Sequence, residues 1–426
     1  MLRIPSTLLA GALFFTANVC LLAFCLSARS DDLGTSATFH SAQDILECVL
    51  RNQPDIQRSN ADIAITKASE ITARQIPNPG LNSRNLIATA GGVTNRVYEL
   101  NIAQPIELGG KRESRIAKSL ADQELSWSAA QEVREGVVIQ TVLTLHRLRQ
   151  LRLEVGELDE TLAIYERIRE AFKNLQILSP EQRVSLSVLR TTTQANQLQK
   201  IALMDEENRL RAFLEKATGR SIEITPEVLP RPITHWPDYS PKAAGALLGG
   251  AKMKKALAEL SDASAAYRLA KSQAWPDVDL GPSIEPNTMG ERTTTSFGFN
   301  LAVPLPMYHQ NQGQVQAALS AQNRAKLNLD LTKGELAVEF ASLVARYDQN
   351  LKAVEKGQLV RSLEEKREET SLESLFRDGL IPSSLMIEAR RQVFEFLQGL
   401  NAAELRTIEA LWRLYALEGR IFDKKI

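Results

Sequence analysis

Groups able to do chemistry are few in this sequence. Its 426 residues hold four histidines, His40, His146, His235 and His309, and three cysteines, Cys20, Cys25 and Cys48. A metal centre needs such ligands at short, regular spacing, as in HExxH or Cys-x-x-Cys. Here the histidines stand far apart and neither pattern occurs. The stretch "ELGGKR" (107–112) shares the Gly-Lys of a phosphate loop, but Pro105 stands where the first glycine of that loop belongs and Arg112 replaces its Ser/Thr. Asp and Glu are interspersed with Lys and Arg along helix-like stretches, as expected of solvated coiled-coil faces. No catalytic, metal-binding or cofactor-binding residue is expected, and the chain does not read as an enzyme.

The informative signals lie in the elements. Net charge is zero and the pI is near 6.9, which argues against a nucleic-acid partner. Ala, Leu, Gln and Ser are abundant, a composition that favours long helices. Residues 1–30 combine Arg3, an apolar core from Leu8 to Leu26, and small residues at Ala28 and Ser30, the plan of a secretory signal; an uncleaved anchor is the alternative. Cys25 is a candidate lipidation site, although Phe24 is bulky for one. Removal of the signal takes Cys20 and Cys25 with it and leaves Cys48, so no internal disulfide is expected. No later stretch approaches 18 consecutive apolar residues. Any crossing of a membrane would therefore fall to strands.

The chain repeats itself at an offset of 199. "IPNPGL" (76–81) falls on "WPDVDL" (275–280), and "YELNIAQPI" (98–106) falls on "FGFNLAVPL" (297–305). Two separate matches at one offset point to a duplication. The halves are 31–217 and 242–426, with a proline-rich connector, 218–241, on the outside. Each half begins with a helix, Asp44–Gln75 or Lys242–Ala274, that ends at a proline. Two strands follow. Tyr98, Leu100, Ile102, Ile106 and Leu108 alternate with Glu99, Asn101 and Ala103; Phe297, Phe299, Leu301, Val303 and Leu305 alternate with Ser296, Gly298, Asn300 and Ala302. Weaker first strands lie at 81–90 and 278–283, with "GGVTN" and "EPNTMGER" as their turns. Long helices complete each half: 110–174 with 180–218, and 314–376 with 382–418. Leu151, Leu158, Tyr165 and Phe172 step by sevens, as do Ala389, Phe396 and Ala403, the mark of a coiled-coil seam.

Four strands cannot close a barrel alone. Three chains would supply twelve, with the helices hanging below as a hollow tube. The fold class is thus mainly α with a small β part. The layout resembles the TolC-type outer-membrane efflux proteins over about 44–419, in the duplication, the strand placement, the "L..FLEKATG" ending at Gly219 and the "G.IPSS…EAR" pattern around Gly379 and Ala389. Within that family, "AQPIELGGKR" (103–112) and "PLPMYHQNQGQVQAA" (304–318) resemble the branch serving heavy-metal pumps of the cobalt-zinc-cadmium type. Gln310 departs from that branch, where Arg is common.

The resemblance implies a homotrimeric duct in the outer membrane of a Gram-negative cell, with its helical tunnel in the periplasm. The partners it implies are a periplasmic adaptor and a proton-driven inner-membrane RND pump, besides outer-membrane lipid. The far tip, which would contact the adaptor and form the aperture, comprises Leu178, Ser179, Pro180, Glu181, Asp378, Gly379, Leu380 and Pro382. Asp378 is the candidate for a carboxylate ring that attracts cations. Tyr98, Leu100, Ile102, Phe297, Phe299 and Leu301 would face lipid; Glu99, Asn101 and Asn300 would face the lumen. Two other functions stay open: a duct for organic compounds or secreted proteins, and a non-conducting periplasmic coiled coil.

Overall fold

The structure is a computed structural model that describes residues 39–173, 177, 179–233, 235–239, 249–368, 376 and 381–426. Leu178, Asp378, Gly379 and Leu380 of the expected tip lie outside the described residues. The elements are α1 (Ala42–Asn52), α2 (Pro54–Arg74), β1 (Gly80–Ala90), β2 (Val93–Ile106), α3 (Lys111–Lys173), α4 (Pro180–Thr218), α5 (Ala251–Ser272), β3 (Val278–Met289), β4 (Arg292–Ala302), α6 (Gln312–Glu368) and α7 (Ser383–Leu417).

The expected helix over Asp44–Gln75 is two helices. Proline at position 54 has no N–H to continue α1 and instead occupies the first turn of α2, where none is needed. The helix expected from Lys242 is described only from Ala251, residues 242–248 being outside the described set. The strands are longer than their alternation suggested. β3 runs on through "EPNTM" to Met289, and the turn narrows to Gly290-Glu291; likewise only Gly91-Gly92 turn between β1 and β2. Polar strand residues hid the ladder there, because a strand with one wet face has no need of alternation at its tip.

The four strands form one antiparallel sheet in the order β1-β2-β3-β4. Below it α3, 63 residues without a proline, extends about 95 Å at 1.5 Å per residue. α2 packs along its upper part and α4 along its lower part; α5 and α7 flank α6 in the same way. Among the described residues, four apolar clusters hold this bundle. The largest joins Val138 and Val142 of α3 to Phe340, Val344 and Tyr347 of α6 and to Ile408, Leu411 and Leu414 of α7. The connector closes over the middle of the bundle: Ile222, Val228 and Leu229 enter the cluster of α1, α3 and α4. Trp236 and Tyr239 lie edge-on to Tyr347 at ring-centroid distances of 6.4 and 5.8 Å.

The seam through Leu151, Leu158 and Tyr165 is fully buried. The seam expected in the returning helix is displaced. In α7 the buried heptad is Ile387, Phe394, Asn401, Ile408 and Tyr415, whereas Phe396 is exposed. Two faces of α7 are apolar, and the one that packs within the chain lies two residues from the one the sequence favoured.

Candidate functional site

The sheet separates two chemistries. Its register pairs Leu81 with Ile102, Leu100 with Ile284, Ile284 with Phe297, and Leu280 with Leu301. These side chains therefore share one face with Tyr98 and Phe299. The other face carries Asn82, Arg84, Glu99, Asn101, Ser283, Glu285, Asn287 and Asn300 by the same parity. Asn82 Nδ2 donates to Asn101 Oδ1 at 3.1 Å, and Arg84 lies 4.0 Å from Glu99. The apolar face is open: Phe297 is 82% and Phe299 67% exposed. An apolar patch this continuous marks a surface that meets something other than water. The residues expected to face lipid and those expected to face a lumen thus stand on opposite faces.

The two hairpins are superposable in register. A shift of 199 turns Leu81↔Ile102 into Leu280↔Leu301 and Asn82↔Asn101 into Gly281↔Asn300. Where the hairpins meet, the backbones crowd. A Cβ at Gly281 would come within 1.6 Å of the Ile102 carbonyl oxygen, so only glycine fits.

The "ELGGKR" stretch is a fastener between sheet and bundle. Gly109 turns with φ +69° directly beneath Trp275, whose side chain would lie 2.5 Å from any Cβ there. Lys111 Nζ reaches Asp277 at 2.6 Å. Arg112 donates to the carbonyl of Arg74, and Arg115 to those of Ala73 and Gln75 while also pairing with Glu107. The orphan carbonyls at the end of α2 are thereby satisfied by cations, which the helix dipole also favours. The second junction solves the same problem differently. Asn311, buried and at φ 58°, donates from Nδ2 to the carbonyl of Ala270 at 2.8 Å, near the end of α5. Tyr308 and His309 point outward.

At the far end, Ser179 caps α4. The Gln182 N–H donates to Ser179 Oγ at 3.2 Å, and the Ser179 N–H donates to Gln182 Oε1 at 2.9 Å. Pro180 opens that helix, Pro382 precedes α7, and Ser179, Pro180, Glu181 and Pro382 are all exposed. Tyr165 Oη donates to the Ile387 carbonyl at 3.3 Å and ties α3 to α7.

One expectation is corrected. The charges on the long helices are not all solvated. Arg147 bridges Glu154 and Glu206, both at 2.8 Å. Arg149 pairs with Glu404 at 2.7 Å. Gln150 Nε2 donates to Glu404 at 2.9 Å, and Asn401 Nδ2 to Glu154 at 2.9 Å. Glu154, Asn401 and Glu404 are buried. His146 is also buried, and burial, with Arg149 nearby, lowers its pKa to about 3. The partners joined through Asn401 and Glu404 come from segments about 250 residues apart, so no local spacing reveals them.

The described residues contain no helix apolar enough to cross a membrane and no cluster of three or more metal-ligating side chains. A two-faced strand sheet on a helical stalk is the geometry in hand. The sequence pattern of the family described as "Outer membrane efflux protein" matches residues 245–420. That match covers the second half of the chain. It is 24% identical over 297 residues to the cobalt-zinc-cadmium resistance protein CzcC of Cupriavidus metallidurans, spanning 65% of this chain and 68% of that protein. Its fold matches the open MtrE outer membrane channel of Neisseria gonorrhoeae, with a TM-score of 0.66 at 15% identity over 91% of this chain and 94% of the other. It also matches CusC, with a TM-score of 0.64 at 14% identity over 92% and 95% of the two chains. The chain thus has the fold of these outer membrane channels.

Proposed function

We propose that this channel is the exit duct of a tripartite system exporting divalent heavy-metal cations. Three copies join their sheets into a twelve-stranded barrel, and the helices continue it as a tunnel through the periplasm. The observation that carries the duct is the four-stranded sheet, apolar on one face and hydrophilic on the other, with β1 and β4 left as open edges. A bilayer accepts strands only when no edge is left unpaired, and strands of 11, 14, 12 and 11 residues are long enough to cross it. Tyr98, Leu100, Ile102, Phe297, Phe299 and Leu301 then face lipid, while Glu99, Asn101 and Asn300 line the lumen. The superposable hairpin registers support a duplicated half.

The cargo assignment rests on the likeness to CzcC, together with the "ELGGKR" and "HQNQG" junctions. The exposed caps at Ser179–Glu181 and Pro382 would meet a periplasmic adaptor bound to an inner-membrane RND pump. Asp378 at that end would form a carboxylate ring, so Asp378→Ala should change cation selectivity in single-channel recordings.

The deciding experiment is growth of a strain lacking the protein on zinc, cobalt, cadmium, nickel, copper and silver salts, with antibiotics alongside. Sensitivity restricted to one or a few metals, restored by the wild-type chain, is the expected result. Sensitivity to antibiotics alone would move the cargo to organic compounds. Heat-modifiable trimer migration and conductance in planar bilayers are expected of the purified protein; absence of both would leave a non-conducting coiled coil.

A further inference from the structure

A cavity of about 440 Å³ opens among α3, α5, α6 and α7 where α5 begins. Ile139, Leu143, Met253, Leu336 and Leu417 are the large apolar side chains in its wall. Glu135 lines it too. This residue is only 6% exposed, and its Oε1 has no hydrogen-bond partner among the described residues. The carboxyl accepts hydrogen bonds from the Ala251 backbone and the Gln131 side chain, but it forms no salt bridge among the described residues. Of the basic groups around it, Lys254 acts on the carboxyl through its charge, while Lys252 pairs with Glu339 at 3.0 Å, Lys255 with Glu132 at 2.9 Å, and Arg413 with Glu409 at 2.7 Å.

A buried carboxylate without a cationic partner is costly. A structural role as a cap for α5 would be served equally well by Gln or Ser. What Glu135 lacks is a donor at Oε1, and an ammonium carried on an apolar body would supply one beside the apolar wall. A divalent metal does not meet that description, because it needs several oxygen or nitrogen ligands at once and the described residues hold no group of three or more His, Cys, Asp or Glu placed to bind one. The volume is that of a small-molecule pocket.

We propose that this cavity binds a small hydrophobic amine, whose ammonium donates to Glu135 Oε1 while its carbon skeleton lies against Ile139, Leu143, Met253 and Leu336. The site is independent of what the channel carries. An occupant touches α3, α5, α6 and α7 together and so favours the arrangement in which these four helices are packed as described.

Binding is pH-dependent in a definite sense. Burial raises the Glu135 pKa to about 7, so the carboxylate gains population between pH 6 and 8 while an alkylammonium stays charged. The charged groups around it are Glu132 on α3, Lys252 and Lys254 on α5, Glu339 on α6 and Arg413 on α7. Glu132, Lys252, Glu339 and Arg413 already have ion-pair partners, and Lys254 acts on Glu135 through its charge.

The test is equilibrium dialysis of full-length purified protein in lipid nanodiscs with 1-naphthylmethylamine, and with the uncharged 1-naphthalenemethanol as comparison. Saturable amine binding, about tenfold tighter than the alcohol and tighter at pH 8 than at pH 6, is expected. Glu135→Gln should remove that preference. Gly136→Phe should abolish binding, because Gly136 lines the cavity and a Cβ there meets nothing within 4 Å. Absence of saturable binding by the wild-type protein overturns the proposal whether or not the variants fold. Equal affinity for amine and alcohol overturns it as well, as does undiminished binding by Gly136→Phe.

Discussion

At the scale of single residues, the structure turns on places where one atom more does not fit or one charge has no partner. Gly281→Ala would drive a methyl group into the Ile102 carbonyl oxygen. We expect a loss of about 2 kcal/mol or more, visible as a lower temperature for the heat-modifiable shift on gels. Asn311→Ala gives up both a buried hydrogen bond to Ala270 and a residue tolerant of positive φ. It should cost about 1–2 kcal/mol, and Asn311→Gly should recover the conformational part in a urea melt. Glu135 gives a pH signature of its own. Its folded pKa, near 7, lies above the ordinary glutamate value of 4.5, so the folded state holds its proton more tightly than the unfolded state does. The neutral form suits the fold below about pH 4.5, and stability is lost as pH rises through 7. Glu135→Gln should therefore raise the melting temperature at pH 8 and leave it nearly unchanged at pH 4.5.

At the scale of elements, the buried network joining α3, α4 and α7 is the strongest stability test. Removing one partner from a buried ion pair strands the other, at a cost of roughly 3–5 kcal/mol. Glu404→Leu alone should lower thermal stability by that order, and Arg149→Met with Glu404→Leu should recover most of it. Circular dichroism of the helices reads both. This network is also where the sequence is least legible. The heptad of Leu151, Leu158 and Tyr165 declares a helix seam because its period is local. Arg149 and Glu404 declare nothing, because a charge facing a distant helix looks the same in sequence as a charge facing water. The same limit explains α7. Two apolar faces compete there, and only the packing of α6 and α3 selects the one through Ile387, Phe394 and Ile408. Strand parity was legible from Tyr98 and Phe297, while the length of β3 was not, since its tip alternates nothing apolar.

At the scale of the whole molecule, the two faces of the sheet make opposite demands on substitution. Phe299→Lys places a charge on the exposed apolar face and should reduce assembled protein in the outer membrane, by about 2–4 kcal/mol at mid-depth. Asn300→Lys, one residue on and facing the other way, should leave membrane levels intact and alter conductance instead. Fractionation and single-channel recording separate the two outcomes.

The open edges of β1 and β4 bear on how this channel comes to exist at all. A lone chain carries two rows of unpaired backbone groups, which neither lipid nor a folded periplasmic state leaves unsatisfied for long. On the proposed trimeric duct, forming the wall and meeting partner chains are then one event. Refolding into vesicles should accordingly follow a reaction order above one in chain concentration: halving the protein should slow its appearance by more than half, and a cell making too little should accumulate it as protease-sensitive precursor.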